Sequence, residues 1–90
     1  MIHVDLVITG KVQGVFFRAE AKKHADKLGL GGFIRNDNDG TVHVEVEGED
    51  SLVDEFIAWC HEGPPLAKVE RIKINRESRL KSFNNFSIRR

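Results

Sequence analysis

The 90-residue chain has little cysteine and no excess of either charge. Cys60 is the single cysteine, which excludes an intrachain disulfide and, together with the lack of a signal-peptide core at the start, favours a reducing, cytoplasmic setting. The 14 basic residues are balanced by 14 acidic ones, which argues against a general nucleic-acid-binding protein. No apolar run approaches the length of a membrane span, so we expect no membrane association.

Metal-binding and nucleophilic motifs are also missing from the local sequence. The histidines are His3, His24, His43 and His61. None is paired with another at a metal-ligand spacing along the chain, so we expect neither a metal nor a cofactor. Cys60 lies on the apolar stripe of a predicted helix without a basic partner, and we interpret it as a packed core thiol. The length predicts a single domain over residues 1–90, and no coiled coil or long exposed apolar run requires a dimer, so we expect a monomer.

Hydrophobic periodicity predicts five strands. Alternation of apolar residues marks a first strand that begins near Val4 and ends at Gly10. Further strands are predicted in the segments GGFIRN, TVHVEVEG, AKVERIKIN and NFSIRR. In AKVERIKIN, Val69 is out of phase with Ile72 and Ile74, which indicates a bulge or an early bend.

Helical spacing predicts two helices between these strands. The first carries the apolar positions Phe17, Ala21, Ala25 and Leu28 and is closed by Gly29. The second has an apolar stripe that includes Phe56, Trp59 and Cys60, a cap at Asp50 or Ser51, and an end at Gly63 before two prolines.

The predicted order is therefore β-α-β-β-α-β with an extra short C-terminal strand. Right-handed β-α-β crossovers place both helices on the same face of an antiparallel sheet. The expected fold class is α+β, a ferredoxin-like βαββαβ sandwich. This fold carries many unrelated activities, so function has to be argued from a site.

The candidate site is the turn GKVQGVFFR, residues 10–18, which joins the first strand to the first helix. Helix N-termini expose unpaired N–H groups with partial positive charge, and a glycine-containing loop can aim such groups at one anion. Gly14 supplies a positive φ or a close backbone approach, and Arg18, in the first helical turn, suits two oxygens of a phosphate. The Walker A pattern is absent. The alternative is an ordinary loop with a solvated arginine.

Asn36 opens the polar run NDNDG. By composition it is typical of a turn residue. The functional alternative is that its amide, which is both a donor and an acceptor, orients a water molecule.

Two blocks of the sequence closely resemble the acylphosphatase family. The first, GKVQGVFFR, fits the family pattern V-Q-G-V-x-F-R, and the second, LGLGGFIRNDNDGTV, follows at the expected distance. GPPLAKV and FSIRR also look like the family, whereas Lys11 and Asn85 stand where arginine and glycine are frequent. The resemblance covers nearly the whole chain, and its motif order agrees with the predicted fold.

The resemblance implies metal-independent hydrolysis of small-molecule acyl phosphates to a carboxylate and inorganic phosphate. It implies that Arg18 binds the phosphate and that Asn36 positions the attacking water. It also implies that the phosphate is held by backbone amides, namely those of Gln13, Gly14, Val15, Phe16, Phe17 and Arg18. Two alternatives stay open at this point: a phosphate-binding module without turnover, and an RNA-binding module on the same topology. The RNA alternative is disfavoured because the central strands offer no aromatic platform.

Overall fold

The computed structural model describes all 90 residues and contains five strands and two helices. The elements are β1 (Ile2–Lys11), α1 (Phe17–Lys27), β2 (Gly31–Asn36), β3 (Val42–Gly48), α2 (Asp50–Glu62), β4 (Lys68–Glu77) and β5 (Phe86–Arg89). The predicted order of elements is confirmed. Neither helix is long and apolar enough to cross a membrane.

The strands form one sheet in the order β4-β1-β3-β2-β5. The first four strands pair antiparallel, as the ferredoxin-like prediction requires. β5 pairs parallel to β2, with Ile88 opposite Ile34, so the complete sheet is mixed and not entirely antiparallel. The reason is that the chain reverses direction once between β4 and β5, which gives β5 the same direction as β2.

Both helices cover the same face of the sheet. Alternate residues of β1 and β3 point towards them and are fully buried, and α1 and α2 contribute their apolar faces to the same cluster. The strand residues of this core include Val4, Leu6, Ile8, Val42, Val44 and Val46. Cys60 belongs to the core as expected, and burial raises the pKa of its thiol, which keeps the thiol protonated and unreactive.

The C-terminal end of α1 agrees with the sequence-based prediction, whereas the N-terminal end of α2 does not. α1 ends as predicted, because the Gly29 amide bonds the Asp26 carbonyl at 3.1 Å and the Leu30 amide bonds the Ala25 carbonyl at 2.9 Å. The predicted cap of α2 at Asp50 or Ser51 was wrong by one position, because the residue at the N-cap is Glu49 and its side chain makes no capping bond. The Ser51 hydroxyl instead donates to the Glu49 carboxylate at 3.0 Å.

Gly10 lies at a β-bulge and does not end the first strand. β1 continues to Lys11, and its register against β4 shifts between Thr9 and Gly10, which places Gly10 opposite Val69. The bulge indicated by the phase of Val69 is therefore confirmed. Gly10 has a φ of 126°, and a Cβ atom there would lie 2.1 Å from the Lys68 carbonyl oxygen. The bulge thus requires glycine and directs the chain into the turn before α1.

We expect Gly10→Ala to lower the free energy of unfolding by about 3 kcal/mol, from backbone strain of about 1–2 kcal/mol and a backbone clash of about 1–3 kcal/mol. Denaturant unfolding at 25 °C measures the change. Gly40→Ala is the matched control, because Gly40 also has a positive φ, of 90°, but a Cβ atom there would have no neighbour within 4 Å. Equal losses in the two variants would contradict the role of Gly10 in the bulge.

Candidate active site

The loop between β1 and α1 is fixed by apolar anchors. Val12, Val15 and Phe17 are buried in the core, whereas Gly14 and Phe16 between them are exposed. This alternation holds the loop against the core at three points. The intervening backbone is left at the surface, at the N-terminus of α1.

The backbone of the loop alternates in handedness. Gly14 has a φ of 73° and Phe16 a φ of 68°, whereas Val15 between them does not have a positive φ. Successive residues of opposite handedness turn their N–H groups towards the same side, which is the geometry of an anion-binding nest. For Phe16 the left-handed conformation costs about 1–2 kcal/mol. The buried side chains on either side of Phe16 hold it there.

The amides of this loop have no acceptors within the protein. The backbone N–H groups of residues 13–16 make no hydrogen bond to any backbone or side-chain acceptor. Phe17 and Arg18 are the first two residues of α1, where N–H groups lack intrahelical acceptors. The six amides expected from the resemblance are thus consecutive and available to an anion at a helix N-terminus, which itself favours negative charge.

Arg18 lies beside these amides as an unpaired cation. It is half-buried in the first turn of α1 and makes no ion pair with any carboxylate. It lines a cavity of about 410 Å³. The lining residues are Gly14, Phe16, Arg18, Ala19, Ile88 and Arg90. Their side chains provide two guanidinium groups and an apolar wall from Phe16 and Ile88, and none of these side chains is a carboxylate, an imidazole or a thiol.

Asn36 is the last residue of β2 and does not itself line this cavity. It lies two residues beyond Ile34, so its side chain is on the helix-covered face of the sheet. Because β5 runs parallel to β2, Ile88 and Arg90 are at the same end of the sheet as Asn36. The Oδ1 atom of Asn36 is buried and has no hydrogen-bond partner in the protein. Such an orphaned acceptor is typical of a group whose partner is a water molecule or a ligand.

The side chain of Gln13 connects the loop to the turn that follows Asn36. Its Nε2 atom donates to the carbonyl oxygens of Asp37, at 2.8 Å, and Thr41, at 2.9 Å. The same turn is closed by a bond from the Asp37 amide to the Thr41 carbonyl at 2.9 Å. From the sequence, Gln13 was expected to have only a backbone role. A glutamine amide can satisfy two carbonyls, but nothing in the local sequence identifies carbonyls that are 24 and 28 residues away.

We expect Gln13→Ala to weaken the affinity for inorganic phosphate about tenfold and to lower the free energy of unfolding by about 2 kcal/mol. The reason is that two hydrogen bonds of about 1 kcal/mol each are lost and the loop is released from the turn. Isothermal titration calorimetry and denaturant unfolding measure the two effects. Gln13→Glu, which sets a carboxylate against two carbonyl oxygens, should be worse than alanine. Unchanged phosphate affinity in both variants would show that this connection does not position the loop.

Comparisons with known proteins agree with one another. The acylphosphatase family profile matches residues 4–88. An acylphosphatase from a Nocardioides species is 45% identical over 86 residues, which are 96% of this chain and 86% of that protein. The crystal structure of acylphosphatase from Bacillus subtilis covers 100% of both chains with a TM-score of 0.98 and 32% identity. A structure of full-length HypF in its phosphate- and nucleotide-bound form matches with a TM-score of 0.86 and 31% identity, over 98% of this chain and 12% of that one.

Proposed function

The chain belongs to the acylphosphatase family, and from this membership we propose how its residues divide the hydrolysis of acyl phosphates. As an acylphosphatase, it cleaves an acyl phosphate to a carboxylate and inorganic phosphate. One observation carries the assignment of residues: unpaired loop amides and the unpaired Arg18 occur together at the N-terminus of α1.

The phosphate group of the substrate binds in the loop. The amides of residues 13–18 donate to its oxygens, and the Arg18 guanidinium spans two of them. In the transition state of phosphoryl transfer, negative charge is spread over the equatorial oxygens. Donors fixed in advance by buried anchors stabilise that charge without having to reorganise, so the loop and Arg18 lower the barrier as well as bind the substrate.

Asn36 positions the attacking water. Its orphaned Oδ1 atom accepts a hydrogen bond from the water, and the loop next to its turn holds the phosphorus in place. Fixing the water opposite the leaving oxygen replaces a bimolecular encounter with an oriented one. Gln13 is a positioning residue in this scheme, because it joins the loop to the turn after Asn36.

The leaving group requires no acid from the protein. The conjugate acid of a carboxylate has a pKa of about 4, so the carboxylate departs unprotonated at neutral pH. The water oxygen forms a bond to phosphorus while the bond from phosphorus to the acyl oxygen breaks. We assign the proton of the water to a phosphate oxygen of the substrate, because no side chain lining the cavity is a carboxylate or an imidazole. Nothing in this scheme calls for a metal ion.

The test is hydrolysis of a simple aryl acyl phosphate by the untagged protein in the presence of a metal chelator. We expect catalytic turnover with the acyl phosphate and none with a phosphate monoester of an aliphatic alcohol, because an alkoxide leaves only with help from an acid. Comparable turnover of both substrates, or loss of activity with the chelator, would overturn the proposed mechanism.

A second candidate is phosphate binding without turnover. The similarity to a small part of HypF, whose structure is described as phosphate-bound, favours it, because a domain of this fold occurs there within a much longer chain. Saturable binding of inorganic phosphate with no hydrolysis of the aryl acyl phosphate would support this candidate over the first.

We further propose that the 90 residues act as one domain, as a cytoplasmic monomer, on a small-molecule acyl phosphate and not on nucleic acid. Asp5, which is partly exposed on the face of the sheet away from the helices, disfavours a phosphate backbone there, and the free thiol of Cys60 suits a reducing compartment. A single cooperative unfolding transition is the result expected of one domain. Light scattering tests the monomer, and a gel shift with single-stranded RNA at physiological salt tests for nucleic-acid binding.

A further inference from the structure

The face of the sheet that points away from the helices carries a buried cluster of one histidine and several carboxylates. His3 lies opposite Glu47 across the pair of β1 and β3, and Asp5 lies opposite Glu45. His3 is fully buried, and Glu45 and Glu47 are 8% and 5% exposed. The segment before β5 covers the cluster, because the amides of Lys81 and Phe83 both donate to the Glu47 carboxylate.

Glu47 fixes the orientation of the His3 ring. The Nδ1 atom of His3 is 2.8 Å from a Glu47 carboxylate oxygen. The same carboxylate accepts hydrogen bonds from the amides of Lys81 and Phe83, which hold it in place. Nδ1 of His3 therefore faces Glu47. The second ring nitrogen, Nε2, faces Glu45 and Asp5.

The Nε2 atom of His3 has no hydrogen-bond partner in the protein, although it is buried. It lies 3.1 Å from a carboxylate oxygen of Glu45, outside hydrogen-bonding geometry. That nitrogen, a Glu45 oxygen and an Asp5 oxygen all lie within 4.8 Å of one another. Ligands about 2.0–2.2 Å from a shared zinc ion are separated by about 3–3.5 Å, which agrees with the nitrogen–oxygen distance here.

The charges around this point are not well balanced by the protein alone. Asp5 and Glu45 are directly opposite each other, a like-charged cross-strand pair that is unfavourable. The Lys81 ammonium group, 2.8 Å from a Glu45 oxygen, partly neutralises them. A divalent cation would neutralise both carboxylates from one position.

We propose that His3, Asp5 and Glu45 form a binding site for a divalent transition-metal ion of the Zn²⁺ type. An imidazole nitrogen with two carboxylates suits Zn²⁺ and its neighbours better than Mg²⁺ or Ca²⁺, which prefer oxygen ligands alone. Glu47 is the partner that orients the ligating histidine, an arrangement common in zinc proteins. His43, whose Nε2 is 3.3 Å from Asp5, orients that carboxylate in the same way. Lys81 competes with the metal for Glu45.

The proposed site is on the opposite face of the sheet from Asn36, so the ion takes no part in hydrolysis. An ion that binds the folded chain and not the unfolded one raises the stability of the fold. The site therefore stabilises the pairing of β1 with β3 beneath the covering segment. The proposed hydrolysis and this metal site can be tested, and can fail, separately.

The test is titration of untagged, chelator-treated protein with Zn²⁺, and with Mg²⁺ for comparison, by calorimetry and thermal unfolding. We expect one equivalent of Zn²⁺ to bind saturably and to raise the Tm, and Mg²⁺ to do neither. Asp5→Asn replaces a charged ligand by a neutral amide and should weaken the affinity for Zn²⁺ at least about tenfold. Lys81→Met removes the competing ammonium group and should strengthen it. His61→Gln, which removes an exposed histidine of α2, is the control and should change nothing.

Each outcome decides the proposal. The proposal is overturned if one equivalent of Zn²⁺ does not bind saturably. It is also overturned if Asp5→Asn and Lys81→Met leave the affinity for Zn²⁺ unchanged, or if His61→Gln weakens that affinity as much as Asp5→Asn does. His3→Gln should abolish binding if it folds. If it does not fold, Asp5→Asn and Lys81→Met are sufficient, because both side chains are partly exposed. A further outcome would also contradict the proposal: His3→Gln lowers the stability of the fold, but Zn²⁺ does not change the stability of the unmodified protein. His3 would then serve only the ion pairs of the sheet.

Discussion

Arg18→Ala is expected to lower kcat/KM for an aryl acyl phosphate by about a hundredfold or more, the usual effect of removing one fixed donor to the transition state. Arg18 is the cation next to the unpaired amides of the loop, and no carboxylate of the protein neutralises it. Its loss leaves the charge on the equatorial phosphate oxygens to the amides and the helix terminus alone. Steady-state kinetics and calorimetric binding of inorganic phosphate measure the loss.

Two further variants separate charge from geometry. Arg18→Lys keeps the positive charge but not the planar pair of donors, so its kcat/KM should lie between those of the wild type and the alanine variant. Arg79→Ala removes an exposed arginine outside the site and should leave the kinetics unchanged. Since Arg18 makes no ion pair, Arg18→Ala should change the free energy of unfolding by no more than about 0.5 kcal/mol. A kcat/KM within a few-fold of wild type would overturn the assignment of Arg18.

The fold was largely predictable because every second residue of each central strand is apolar and each helix has an apolar stripe. The errors occurred where backbone geometry overrides composition. A glycine at position 10 is typical of the end of a strand, but Gly10 permits a bulge through which β1 continues to Lys11. The parallel pairing of β5 follows from the direction in which the chain returns after β4, which the alternation of Phe86 and Ile88 does not encode.

The arrangement of the candidate site was predictable where its residues are contiguous. Residues 10–18 carry their own pattern, and the structure has Arg18 beside the unpaired amides at the start of α1 as the pattern requires. The side-chain bonds of Gln13 to the turn after Asn36 were not predictable, because their partners are distant in the sequence. The cluster around His3 was not predictable for the same reason, namely that its members are distant in the sequence. The spacing of histidines along the chain does not reveal carboxylates on the neighbouring strand.

Asn36→Ala is expected to lower kcat about a hundredfold while leaving the affinity for inorganic phosphate almost unchanged. Asn36 does not line the cavity beside Arg18, so its loss leaves Arg18 and the loop amides in place. In the proposed mechanism the variant loses the orientation of the water, and misplacement of a reacting group by about 1 Å can cost a hundredfold in rate. Steady-state kinetics and phosphate binding by calorimetry give the two quantities.

Stability provides a second, independent test of Asn36. Its Oδ1 atom is buried without a partner in the protein, and a buried unpaired acceptor is costly to the fold. Asn36→Ala removes this acceptor, so the free energy of unfolding should stay the same or rise while turnover falls, as is typical of a group retained for function. Asn38→Ala, in the exposed part of the same turn, should change neither quantity. If Asn36→Ala weakened phosphate binding as much as it lowered kcat, Asn36 would be a ligand of the phosphate and not of the water.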